Sequence, residues 1–460
     1  MTVYTAATEA DRTAMLDAIG IADVEQLFAA IPTELRLDRA LELPAGMAEQ
    51  DVYAHLRELA GRNVSAEDEL CFLGGGMYDH YVPALIDMLI SRSEFLTPYT
   101  PYQPEVSQGN LQVMFEYQTA ICELTGLPVS NASVYEGPSA LASAAYLAKL
   151  ANGRRRYVVS AGVHPHARET LRTYARGFGA EIVAVPLRDG VTDPDAWAAA
   201  IDGDTSAVVF QQPNFYGAVE DAAALAAAAG APDDAARPVA IGAYDPICLG
   251  ILAAPGDCGV DVCVGEGQSL GNRLDFGGPS FGFFAASEAH LRRMPGRIAG
   301  ETVDVDGRRG FVLTLQTREQ HIRREKATSN ICTAQALNAL AGVVYLSWLG
   351  RAGLVELGEL LLARTHYARE TLCAVDGVEP LHEQPVVREF ALRLPAADVE
   401  RVVERCAAEG VNPGLALPDE QALLVAITEQ RSRADVDRLA AVLARAVAAE
   451  RAASATEVLA

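Results

Sequence analysis

The spacing of apolar residues along this 460-residue chain changes several times, and each change marks a predicted element. Thr8-Glu9-Ala10-Asp11 precedes an amphipathic run ending at Ile19-Gly20, a pattern that predicts a capped helix with a glycine stop. Up to residue 70, short helical patterns alternate with Pro and Gly breaks. Residues 71–108 hold no sustained period. Gly74-Gly75-Gly76, Tyr78-Asp79-His80-Tyr81 and the proline-punctuated run Thr97–Glu105 predict a long ordered loop, the kind of segment that usually carries function. From Asn110 to Leu124 apolar residues return at helical spacing, and Gly126 with Pro128 predicts the helix end.

A strand–helix alternation follows. Short apolar runs at Tyr157–Ser160, Glu181–Val185, Ser206–Phe210, Val239–Ala243, Val260–Val264 and Phe281–Ala285 predict strands. His166–Phe178 and the Ala-rich stretch Val219–Ala229 predict helices between them. This order predicts an α/β fold with a mostly parallel sheet covered on both faces. Past residue 330, helical patterns dominate to Tyr367. Val386–Leu394 and Leu423–Ile427 then read as strands, and Asp435–Ala449 as a last helix. The expected organisation is an N-terminal helical segment (1–70), a large α/β domain (71–330) and a small C-terminal α+β domain (331–460). No internal repeat is visible.

Composition narrows the function classes. The formal net charge is −24, which argues against phosphate-rich partners such as nucleic acid and against anionic lipid surfaces. The first residues lack a cationic and an apolar region, so no secretory signal is expected. The most apolar stretches, such as Leu337–Leu349, read as too short for a membrane span. Eight cysteines are scattered without a Cys-x-x-Cys pair, the pattern of reduced thiols in a cytoplasmic protein rather than a metal finger.

Two strand ends could carry chemistry. Ala243-Tyr244-Asp245-Pro246 places an acid at a carboxyl edge, where ligands bind in open α/β sheets. The second is Val262–Gly271, followed by Phe276-Gly277-Gly278-Pro279. Such an arrangement resembles pyridoxal-phosphate (PLP) enzymes of the aspartate-aminotransferase type. In those, an acid after one strand pairs with the pyridine nitrogen and a lysine after a later strand holds the cofactor. Here the later loop, 23 residues on (268 − 245), offers Gln268. The chain has two lysines, Lys149 and Lys326, and both fall in helical patterns outside that loop. Asp245 serves equally well as a turn cap. Gly265-x-Gly267-x-x-x-Gly271 is not read as a dinucleotide fingerprint, because it comes late in the sheet and no helix opens after it.

Four longer strings carry a more specific resemblance. Met77–Ile86, Phe95–Gly109, Phe115–Thr119 and Arg318–Thr333 resemble subunit 1 of glycine dehydrogenase (decarboxylating), the P-protein of the glycine cleavage system in its split form. The resemblance runs from about residue 3 to about residue 445. It implies a type I PLP-transferase fold and a homologous subunit 2 that owns the cofactor lysine, the two assembled as α2β2. PLP is then held by the partner and bound covalently to nothing in this chain, and Gln268 stands in the lysine slot. The implied reaction decarboxylates glycine and passes the aminomethyl carbon to the lipoyl arm of H-protein, with T- and L-proteins completing the system. Gly75, Tyr135–Ala140 and Asn272–Asp275 depart from the expected family pattern.

No catalytic residue is expected in this chain, but it could lend residues to its partner's pocket. Tyr99, Thr100, Tyr102, Gln103, Ser107 and Gln108, on the proline-stiffened loop, are the first candidates, the alternative being plain packing at a subunit interface. Tyr78 and His80, with Asp79 between them, form a second group or a satisfied hydrogen-bonding cluster. Ser139, Asp245 and Gln268 are the expected positions of a degenerate PLP site. Ser139 opens an Ala-rich helix whose N-terminus suits a phosphate, or it is a simple cap. His164 and His166 lack a third metal ligand, so no metal site is expected. The cationic stretch His321–Lys326 is expected to pair within its own helix with Glu319 and Glu325, the alternative being an anion or H-protein contact. Two competing readings are a thiol enzyme using Cys258 or Cys263 with His164, and a non-enzymatic regulatory or binding homologue of a PLP enzyme.

Overall fold

The computed structural model describes residues 6–231, 237–275, 277–278 and 280–459, with side chains through Ala453. Phe276 and Pro279 of the predicted glycine–proline motif, and Met1–Thr5, lie outside the described residues. The chain divides into two compact units, through Val64 and from Ser65. In the first, helix α1 (Glu9–Ile19) begins as predicted. Thr8 Oγ1 accepts from the Asp11 amide at 3.2 Å, the Asp11 carboxylate accepts from the Thr8 amide at 2.8 Å, and Gly20 closes the helix at φ 80°. Helix α2 spans Glu49–Ala60.

The second unit is built on a seven-stranded sheet. Its strands are β1 (Val129–Ser130), β2 (Arg156–Ser160), β3 (Glu181–Val185), β4 (Thr205–Gln212), β5 (Val239–Tyr244), β6 (Val262–Glu266) and β7 (Gly282–Ala286), in the order β1-β7-β6-β5-β4-β2-β3. Strands β2 to β6 pair in parallel, while β7 is antiparallel to both β6 and β1. The helices around the sheet are α3 (Ala84–Ile90), α4 (Gln108–Thr125), α5 (Gly137–Asn152), α6 (Pro165–Phe178) and α7 (Ala336–Cys373). Along β2, Tyr157 and Val159 enter one core with Leu141 of α5 and Leu171 of α6, whereas Val158 enters another with Tyr117 of α4 and Leu340 of α7. Burial on both faces explains why the central strands β2, β4, β5 and β6 read as apolar runs.

A hairpin, β8 (Ala299–Val303) and β9 (Arg309–Leu313), was not legible from periodicity. Its turn carries the Asp306-Gly307 signal, with Gly307 at φ 78°. A second, antiparallel sheet follows: β10 (Glu379–Pro380), β11 (Glu389–Arg393), β12 (Leu415–Leu417) and β13 (Ala422–Ala426), in the order β10-β11-β13-β12. It packs with α8 (Val399–Ala408) and α9 (Arg433–Leu459) around Phe390, Val402 and Leu443.

Three expectations need correction. The segment 71–108 is not one long loop, since α3 and a short helix at Ser93–Leu96 interrupt it; both are too short to establish a period. The Ala-rich stretch is helical only over Ala222–Ala227, because Asp221 caps it by accepting from the Ala224 amide at 3.0 Å. Leu337–Leu349 belongs to the 38-residue α7, which by length and composition alone is long enough to cross a membrane. It is broken at Gly350 (φ 61°, ψ −178°), and its inward face lies in both cores: Ala339 to Leu361 beneath the first sheet, Ala368 and Leu372 beneath the second.

Candidate active-site cavity

At the carboxyl ends of β2, β4, β5 and β6 the chain encloses a cavity of about 570 Å³. Its walls come from the Gly74–Tyr78 loop, His164 after β2, Asp245 after β5, Glu266 at the end of β6, the start of α5, and Arg388 just before β11. Ligands are expected at this edge of a parallel sheet.

Several buried charges meet here. Asp245 Oδ2 pairs with Arg388 Nη2, and Asp245 Oδ1 accepts from the Ile247 amide at 2.9 Å, so the acid is at once a turn cap and an ion partner. Arg388 is 3% exposed and its guanidinium carbon lies 3.4 Å from the centre of the Tyr78 ring. Arg388 Nη1 donates to His80 Nε2, which leaves His80 Nδ1 to donate to the Glu429 carboxylate at 2.6 Å. Arg388 Nε has no hydrogen-bond partner among the described residues. Next to it the Glu389 carboxylate accepts from the Gly75 amide (2.7 Å) and the Tyr78 hydroxyl (2.8 Å). Burial pushes Glu389 up to about 7 and holds the Tyr78 hydroxyl well above its ordinary range.

Gln268 is 1% exposed and fully engaged. Its Oε1 accepts from the Tyr78 amide at 2.9 Å, and its Nε2 donates to the carbonyls of Tyr78 (3.1 Å) and Asn272 (2.8 Å). It therefore clamps the Gly76–Tyr78 loop. At α5 the cap is Glu136, and Ser139 sits three residues inside the helix; this corrects Ser139 as the cap. The Glu136 carboxylate accepts from the Ser139 amide at 3.1 Å and from the Ser139 hydroxyl. The Gly137 amide donates to Glu266 at 3.0 Å, and Glu266 also accepts from the Gln268 amide and Ser280 Oγ. Burial raises the Glu266 carboxyl.

The candidates of the 99–108 loop do not line this cavity. Tyr99 is 87% exposed, and Thr100 and Gln103 are exposed as well. Tyr102 is partly buried; its hydroxyl accepts from the Ala334 amide at 2.9 Å and its ring lies 4.9 Å from the Arg297 guanidinium. Ser107 is buried at the start of α4, and Gln108 clamps β9 through the Phe311 amide (2.8 Å) and carbonyl (2.9 Å). Tyr78 and His80, by contrast, belong to the Arg388 network. Arg388, Glu389, Glu266 and Glu429 escaped sequence reasoning. The visible signal was the adjacent charges Arg388 and Glu389 inside the apolar run Val386–Leu394.

Other expectations resolve on geometry. His164 Nε2 donates to the Gly75 carbonyl (2.7 Å) and its Nδ1 accepts from the His166 amide (3.1 Å), so neither nitrogen is free to serve a thiol. Cys263 is buried in the core, which pushes its thiol well up. No group of three metal-ligating side chains occurs among the described residues. The cationic stretch is not one helix: it breaks at Arg324 (φ 53°), and buried Glu319 pairs with Arg297 at 2.5 Å and with Arg318 at 4.0 Å.

A family model described as glycine cleavage system P-protein matches residues 2–443. The chain belongs to that P-protein family. Among curated relatives, a probable glycine dehydrogenase (decarboxylating) subunit 1 from Moorella thermoacetica is 49% identical over 96% of this chain and 98% of its own length. The crystal structure of an inhibitor-bound glycine decarboxylase (P-protein) superposes with a TM-score of 0.86 at 44% identity, covering 97% of this chain and 100% of the other. A Lactobacillus brevis glutamate decarboxylase shares the fold at 15% identity, with a TM-score of 0.67 over 92% of this chain and 98% of its own. The fold is that of the type I PLP-dependent enzymes.

Cavity volume alone would admit PLP in this P-protein-family chain, since small-ligand pockets run from about 300 to 1,000 Å³. The polar groups do not fit it. Lys149 Nζ is tied to the Phe178 carbonyl at the far end of α6, and Lys326 is exposed on a short turn. The amides that open α5 are already bonded to carboxylates, and Asp245 already has a cation.

Proposed function

We propose that this chain is the subunit of glycine decarboxylase that does not carry the cofactor lysine. Partnered with subunit 2 as an α2β2 assembly, it supports decarboxylation of glycine at PLP held by the partner, release of CO2, and transfer of the aminomethyl group to the lipoyl arm of H-protein. PLP supplies the electron sink for carbon dioxide loss. T- and L-proteins then act on what this step delivers. The observation that carries the reading is the near-full-length likeness to proteins named subunit 1, joined to a cavity with no amine. The outward-facing Tyr99, Thr100 and Gln103 are the residues of this chain proposed to meet the partner.

The test is reconstitution. Purified alone, the chain is expected to show no glycine–bicarbonate exchange, and to gain it on addition of subunit 2, with a complex isolable by size exclusion. Exchange by the chain alone, or no complex with subunit 2, rejects the reading; the second result favours a non-enzymatic homologue.

A further inference from the structure

We infer that this cavity refuses PLP because the protein fills each of the cofactor's polar seats with a side chain of its own, so that the missing lysine is one of three barriers. A phosphate at a helix start is held by free backbone amides. In α5 the Gly137 amide is taken by Glu266 and Pro138 has no N–H. The Ser139 amide and hydroxyl are taken by the Glu136 carboxylate, and the Ala140 amide by the Glu136 carbonyl at 3.0 Å. Every donor of that turn is used. The two carboxylates that use them also repel an incoming dianion at short range.

The acid that would face a pyridinium meets the same fate. Asp245 is paired with Arg388, a cation that is 3% exposed, fixed over Tyr78 and bonded to His80. A pyridinium would have to compete with that buried guanidinium for the Asp245 carboxylate. The third seat holds Gln268, whose amide is committed to the Tyr78 backbone and Asn272. These contacts replace phosphate by carboxylate, pyridinium by guanidinium and amine by amide. The closure belongs to this chain's own cavity and does not rest on the proposed assembly.

The test uses the purified full chain and pyridoxamine 5′-phosphate, a probe that needs no lysine, in equilibrium dialysis. Wild type is expected to show no saturable binding up to about millimolar probe. The variant E136S/E266Q frees the α5 amides and removes both charges; it is expected to bind the probe at least tenfold more tightly, in competition with inorganic phosphate. Q268K supplies the amine alone, and after PLP and borohydride it is expected to yield no pyridoxyl adduct at position 268. Micromolar binding by wild type overturns the inference, as does an adduct in Q268K, or a folded E136S/E266Q (by circular dichroism) that still refuses the probe. If a variant does not fold, the wild-type measurement still decides. Loss of exchange activity on mixing with subunit 2 bears on the proposed function and leaves this result untouched.

Discussion

Replacing Asp245 by alanine isolates the most consequential contact in the cavity. It leaves the Arg388 guanidinium 97% buried (100 − 3) with hydrogen bonds to His80 and Ser269 but no directly paired carboxylate. Breaking a buried ion pair on one side costs about 3–5 kcal/mol, because an uncompensated charge stays behind. At pH 8, above the value of about 7 to which burial pushes Glu389, its carboxylate adds negative charge near Arg388 and places the expected loss near the lower bound, about 3 kcal/mol. Unfolding entropy on the order of 2 cal/mol/K per residue, over a unit of this size, converts that to a fall in Tm of roughly 4 °C. Urea unfolding followed by tryptophan fluorescence reads the same quantity, with buried Trp197 as the reporter inside the first core. The double variant D245L/R388M removes both charges and is expected to recover to within about 1 kcal/mol of wild type, since apolar replacement of a buried pair is often neutral or better. A loss below about 1 kcal/mol in D245A, or a double variant no better than the single, would falsify the view that this pair is a buried, mutually dependent unit.

Gln268→Ala strips the clamp from the Tyr78 amide and carbonyl and is expected to cost about 2–4 kcal/mol by the same urea assay; an unchanged midpoint refutes the clamp. Glu389, pushed up to about 7 by burial, stays neutral in the folded chain between about pH 4.5 and 7, where it is ionised in the unfolded one. Its effect is therefore absent below about pH 4.5 and grows into a penalty as pH rises to 7, making the chain about 2 kcal/mol less stable at pH 8 than at pH 5.5. E389Q is expected to flatten that slope, and an identical slope in both proteins defeats the assignment. Gly350→Ala meets no atom within 4 Å but forces alanine into φ 61°, ψ −178°, at an expected cost of about 1–3 kcal/mol read by thermal melting. Tyr99→Ala is expected to leave the melting temperature of the isolated chain unchanged and to weaken association with subunit 2 about tenfold or more by titration; equal affinity removes Tyr99 from the proposed interface.

The central strands β2, β4, β5 and β6 were legible because they are buried on both faces and announce themselves as apolar runs, while edge strand β3 is partly exposed. Glu181–Val185 falls where the pattern placed it, and the other predicted strands of this seven-stranded sheet lie within about two residues of theirs. Helix α1 was legible through Thr8, Asp11 and Gly20, whose cap chemistry is local. What escaped was non-local. Ser139 looks like a cap in isolation, and only the backbone path shows Glu136 holding that place. Gln268 identified itself as the absence of an amine, yet its actual task depends on Tyr78, 190 positions away. Arg388 reaches Asp245 from another sheet, and nothing in the spacing of either run anticipates that meeting. The hairpin β8–β9 was missed even though Asp306-Gly307 announces its turn, because only five residues flank it on each side.

The long bent helix α7 belongs to two hydrophobic interiors at once, with Leu361 in one and Leu372 in the other, eleven positions apart (372 − 361) on the same rod. Melting either sheet strips a helix that the other also needs, so stepwise loss of structure is penalised. Amide protons along β4 and along β13 should accordingly exchange with similar free energies of opening, and a protease should find no long-lived half-molded fragment to trim.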